Sequence, residues 1–152
     1  MDTRCMAANL RIATAVAVFA FSGSLAFAAE SYSLTFAGDA SFNGAHGGQP
    51  IAAAVVAPDS GEVVARQSGT VSSDDSPAFS LSFPDALTAG ERYEVHYWID
   101  SNFGGGSEGG CDPKNQDHQW RVELGTVDGD VTHTEQHNPG ATADVCETFA
   151  DM

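Results

Sequence analysis

The chain has 152 residues, with 21 acidic against 6 basic side chains and a formal charge of −15. So large an anionic excess repels phosphates and argues against nucleic acid or an anionic membrane surface as partner, leaving cations, basic proteins or plain solubility in a salty medium. Nine Phe, three Tyr and two Trp within a 42% hydrophobic composition carry enough apolar surface for a folded core rather than a disordered acidic chain.

In chain order, the first element is a targeting segment. Arg4 and Arg11 make a positive start, Ile12 to Phe21 is apolar, and Ala26-Phe27-Ala28 fits a small-x-small cleavage site. The apolar run is too short for a membrane span, which needs about 20 residues. The sequence therefore predicts a signal peptide over 1–28, a single domain over 29–152, and a secreted or periplasmic mature protein of about 124 residues. Cys5 is lost with the leader, and the mature charge becomes about −16. Cys111 and Cys146 then form an even pair, which in an exported protein predicts a disulfide. The other use of such a pair, as thiolate metal ligands, lacks a CxxC spacing.

Period-two alternation runs through the rest. Tyr32, Leu34 and Phe36 alternate with Ser33 and Thr35. Pro50 to Ala57 (PIAAAVVA) is continuously apolar and ends in the turn Pro58-Asp59-Ser60-Gly61. A return strand follows from Glu62, and after the polar loop Ser72 to Pro77, Phe79, Leu81 and Phe83 alternate again. Arg92 to Ile99 (RYEVHYWI), then Trp120, Val122 and Leu124, then Val131 to Thr134, complete the set. About seven short strands without helical periodicity predict an all-β chain, a single antiparallel two-sheet β-sandwich with one disulfide.

Between the fifth and sixth strands lies Asp100 to Asp112, DSNFGGGSEGGCD. Asp100, Asn102 and Gly105 match positions one, three and six of a calcium loop, but position twelve is Cys111. A looser oxygen cage from Asp100, Asn102, Glu108, Asp112 and Asp117 is the candidate site for a hard divalent cation, calcium first. The bland alternative is an acidic glycine-rich connector.

Five histidines fall in the mature chain: His46, His96, His118, His133 and His137. His133-x-Glu135-x-His137 on a strand spans about 13 Å, too far for one ion. A copper or zinc site assembled from His46, His96 or His118 across loops is the histidine alternative. Trp98 lies on the strand face opposite Tyr93, Tyr97 and Ile99. It either packs under the long loop or, with His96 and His118 nearby, offers a stacking face to a polysaccharide or protein partner. Blue-copper ligation would need Met152 as the axial ligand. There is no GxSxG, HExxH or phosphate loop, and Asp117-His118 lacks a serine to act on. The expectation is a binding or structural module rather than an enzyme, with a hydrolase built on Asp117 and His118 as the remaining alternative.

Two resemblances follow from these motifs. Phe79 to Val95 resembles the corner of immunoglobulin-like and transthyretin-like sandwiches, which implies that the Tyr93 hydroxyl bonds nearby backbone. The residues Asp100, Asn102, Gly104, Asp112, Pro113, Asp117, His118, Trp120 and Arg121 resemble a D-x-N-x-G…D-P…D-H-x-W-R segment of secreted bacterial sandwich domains. That resemblance implies the fold and no particular activity.

Overall fold

A computed structural model describes residues 29–151. Residues 1–28, where the sequence predicts a signal peptide, and Met152 lie outside the described residues. Seven strands are present: β1 (Ser31–Gly38), β2 (Pro50–Ala57), β3 (Glu62–Thr70), β4 (Phe79–Thr88), β5 (Arg92–Ile99), β6 (His118–Thr126) and β7 (Val131–Glu135). They form a three-stranded sheet, β4-β1-β7, and a four-stranded sheet, β3-β2-β5-β6.

The inner faces of the two sheets make the main core. Leu34, Phe36, Phe79, Leu81 and Phe83 meet Ile51, Val55, Val95, Tyr97 and Trp120. Alternation in the sequence is the cause, since residues two apart share a face. The run PIAAAVVA does not alternate, because β2 is covered on both sides. Its outer residues Ala52, Ala54 and Val56 pack with Trp98, Val145 and Phe149 of the C-terminal segment. The Cys111–Cys146 disulfide ties that segment to the loop between β5 and β6. The corner expectation also holds in geometry: Thr88 N donates to Tyr93 Oη at 3.0 Å.

Two features depart from the sequence reading. First, β7 runs parallel to β1, pairing Leu34 with Val131 and Gly38 with Glu135, while every other pair is antiparallel. The chain leaves β6 in one sheet and crosses to the edge of the other, so no hairpin forces the antiparallel sense. Second, a turn of 3-10 helix (Ala40–Phe42) runs into a single α-helical turn, α1 (Asn43–His46), between β1 and β2. Four residues are too few for helical periodicity to register.

Both departures position one end of the sandwich. The parallel pair brings the C-terminal ends of β1 and β7 together, and Asp39 N donates to Glu135 O at 2.9 Å. The start of β2, the end of β5 and the start of β6 lie side by side in the other sheet, with Ile99 paired to both Ile51 and His118. Three histidines from distant parts of the sequence meet at this end.

Candidate metal centre

His46 closes α1, His118 opens β6, and His137 lies two residues beyond β7. Their nitrogens converge. His46 Nε2 is 3.1 Å from His137 Nε2 and 3.0 Å from His118 Nδ1. One ligand atom from each of the three lies within 4.8 Å of the others. Two nitrogens bound to one tetrahedral zinc, each at about 2.0 Å, stand roughly 3.3 Å apart. The two spacings to His46 are therefore close to that of a shared ion, with the third pair inside 4.8 Å.

Local sequence fixes each ring. Asp39 caps the 3-10 turn by accepting from Ser41 N at 2.9 Å. Ser41 Oγ in turn accepts from the His137 backbone N–H at 2.8 Å, binding the third histidine to the turn that carries the first. After His46 the chain must double back, and a Cβ at Gly47 would stand 2.5 Å from Asn43 O and 2.8 Å from Ser73 Cα. Only glycine fits there. The His46 ring is 1% exposed, and its Nδ1 lies 2.7 Å from Gln49 Oε1. An amide oxygen only accepts, so Nδ1 carries the proton and Nε2 presents its lone pair to the centre.

The rings are held neutral. Burial pushes His46 down to about 4, against the partly opposing bond to Gln49. Burial also lowers His118 and His137, and neighbouring His137 adds to the effect on His118. Neutral imidazoles are what a metal ion requires. Two ring nitrogens, from His118 and His137, face the single lone pair of His46 Nε2. Aromatic rings wall the cluster. Trp120 stands 6.1, 5.3 and 6.0 Å from His46, His118 and His137, and Phe42 packs on His46 and His137. Phe103, 45% exposed, covers His118 at 4.7 Å and His46 at 6.2 Å between ring centroids.

The sequence-predicted oxygen cage is arranged otherwise. Asp117, fully buried, accepts from Ser101 N at 2.9 Å and Asn102 N at 3.1 Å with one oxygen, and from Asp112 N at 2.9 Å with the other. Asp112 accepts from the backbone and hydroxyl of Ser107. Asp100 accepts from the Asn102 amide and from Gly109 N. These carboxylates thus serve as acceptors that shape the loop from within. Glu108 is exposed and borders a cavity of about 310 Å³ with Gly48, Gln49, Asp100 and Asn102. Asn102 Oδ1 is buried there without a hydrogen-bond partner among the described residues.

Of the two readings of Trp98, stacking face or packing residue, the structure favours packing. Trp98 is 6% exposed, covered by the C-terminal segment with Phe149 6.2 Å away, so it offers no open face. It lies under that segment, with Cys111 of the long loop packed against the same cluster. His96 lies on the same outer side, bonded through Nδ1 to Thr148 Oγ1 at 2.7 Å and through Nε2 to Glu94 at 3.1 Å. It does not approach His46 and His118. His133 faces Glu135 and stacks on Phe36, apart from the triad. Asp117 does not orient His118, whose Nδ1 turns to His46 instead. Sequence reasoning missed His137 as a partner of His46 and His118. The available signal was its place just past the last strand, which does not say at which end of the sandwich it lies.

No protein-family profile and no curated protein matches the chain. Among solved structures, it is similar to a fimbrial assembly protein from Parabacteroides distasonis, at 11% identity and a TM-score of 0.34 over 70% of this chain. The chain spans about half of that protein, 52% of its length.

Proposed function

We propose that this protein is an exported metal-binding module that takes one copper or zinc ion at His46, His118 and His137. The carrying observation is the convergence of the His118 and His137 ring nitrogens on the His46 Nε2 lone pair that Gln49 orients. All-nitrogen imidazole donors suit late first-row ions, and the Irving–Williams order puts copper(II) above zinc. The Cys111–Cys146 disulfide supports an oxidising compartment, in keeping with the leader read in the sequence. No helix among the described residues is long and apolar enough to cross a membrane. The role is binding rather than hydrolysis, since Asp117 is committed to backbone N–H groups and gives His118 no orienting carboxylate.

Titration of metal-free protein with Cu²⁺ and Zn²⁺, read by calorimetry against a competing chelator, tests this. One equivalent should bind. His46→Ala, His118→Ala and His137→Ala should each weaken binding at least tenfold, while His133→Ala should leave it unchanged. Failure to bind one equivalent, or equal binding by all four variants, overturns the reading.

A second reading is favoured by Asn102 Oδ1, a buried oxygen without a partner beside Asp100 and Glu108. In that reading the acidic loop holds calcium, with Asn102 and backbone carbonyls among its oxygen donors. It ranks below the first because Asp100, Asp112 and Asp117 already serve the loop's own N–H groups. Melting with calcium against matched magnesium separates the two.

A further inference from the structure

We infer that the three-histidine centre keeps one coordination position open to an exogenous ligand, a small monodentate anion, and that Phe103 restricts entry to it. This rests on the metal reading above and concerns what the bound ion does next.

The argument is an account of the donors around the cluster. Among the described residues, no fourth His, Cys, Asp or Glu joins the three nitrogens. The nearby oxygens are engaged elsewhere. Gln49 Oε1 holds His46 Nδ1. Ser101 Oγ donates to Ile99 O at 2.9 Å and stands 3.4 Å from His46 Nδ1, on the side of the ring away from the centre. Asp117 accepts three backbone N–H groups, and Glu135 pairs with His133. Asn138 O accepts from Trp120 Nε1 at 2.9 Å. Three protein ligands do not complete a tetrahedral zinc or a tetragonal copper shell.

Charge and shape say what completes it. Three neutral imidazoles leave the full divalent charge on the ion. The buried aromatic walls of Phe42 and Trp120 lower the local dielectric, so an anion is attracted more strongly than in water. Phe103 packs on His46 and His118, whereas the His137 ring packs on Phe42 and Trp120. His118 and His137 are both partly exposed, and Phe103 stands over the His118 side. Phe103 is followed by Gly104, Gly105 and Gly106, all at positive φ (75°, 115° and 151°), so its neighbours add no side-chain bulk. Phe103 is therefore the bulky side chain over the His118 side, and it is what would restrict entry there.

The test uses the full mature chain loaded with one equivalent of Cu²⁺, titrated with azide and followed by visible absorption and electron paramagnetic resonance. Azide should displace bound water and produce a new charge-transfer band with saturable, one-to-one behaviour. Phe103→Ala should tighten azide binding several-fold while leaving copper stoichiometry at one. Copper bound with histidine dependence but spectra unmoved by azide would mean a closed shell. The inference would then fall while the metal reading stands. Equal azide affinity in the protein and its Phe103→Ala variant would remove the restricting role of Phe103. If no metal binds, both readings fall together.

Discussion

At the scale of single residues, the centre depends on one bond that supplies no metal ligand. Gln49 fixes the tautomer of His46, and such outer partners typically contribute 10- to 100-fold in metal affinity. Gln49→Leu should therefore weaken Zn²⁺ binding by roughly that factor without changing its stoichiometry. Gln49→Glu, which keeps the acceptor and adds charge, should restore or exceed the original affinity. Competition with a chromophoric chelator reads both. Equal affinity in all three proteins would mean that the ring is held by packing against Phe42 and Trp120 alone. The same residue scale explains why the site was only partly legible in the sequence. His46 and His118 stood out as candidate loop histidines. His137 pairs in sequence with His133, four residues away, and on a strand those two are too far apart to share an ion. That spacing argument is sound for those two, but the true partner of His137 is 91 residues distant. The oxygen-rich loop drew attention through its composition. Composition does not reveal whether a carboxylate faces an ion or the N–H groups of its own loop.

At the scale of elements, alternation, turn signals and the continuous apolar run of β2 together made the seven strands legible, and that run fits a strand covered on both faces. What covers its outer face was hidden. Residues 136–151 carry no periodic pattern, yet Val145 and Phe149 bury Trp98. Gln119 holds the segment down, accepting from Val145 N and donating to Asp112 O. Two predictions belong to this clamp. The disulfide closes a separation of 35 residues. By chain entropy that contributes about 4 kcal/mol. Cys111→Ser with Cys146→Ser should lower Tm by on the order of 15 °C. Thiol labelling of the parent protein under denaturing, non-reducing conditions should find no free cysteine among residues 29–151. The second concerns pH. Burial lowers the pKa of His96 below its ordinary 6.5, with Arg121 pushing the same way and Glu94 opposing. The unfolded chain therefore binds this proton more readily. The stability contributed by neutral His96 is present above about pH 6.5 and is lost as pH falls from there through the lowered folded value. His96→Gln, which can still bond Thr148, should lose less stability than the parent between pH 7.5 and 5.5 in urea melts. Parallel losses would show that the clamp is indifferent to this proton.

At the scale of the whole molecule, the parallel β1–β7 pair and the net charge act together. The pair gathers histidines at one end of the sandwich. Were β7 antiparallel to β1, its C-terminal end and His137 would leave from the opposite end. No local pattern in Val131–Glu135 encodes that sense, so this part of the fold was not legible from the chain alone. The formal charge of −15 sets a background against which any ion effect must be judged. Self-repulsion destabilises so anionic a fold, and every cation relieves some of it by screening. Specific binding has to exceed that background. An ion at 100 times its Kd stabilises the native state by about 2.7 kcal/mol, which in a domain of this size raises Tm by on the order of 10 °C. Zn²⁺ at micromolar levels, where screening is negligible, should produce such a rise in the metal-free protein, and His137→Ala should abolish it. The unfolded chain also offers histidines to zinc, so the variant is the necessary control. Millimolar Ca²⁺ should raise Tm only as much as Mg²⁺ at the same concentration, because the loop carboxylates are already engaged with backbone. A calcium excess over magnesium that disappears in Asp100→Asn would instead place a hard ion in the loop beside Asn102. A zinc effect unchanged in His137→Ala would remove the ion from the end of the sandwich.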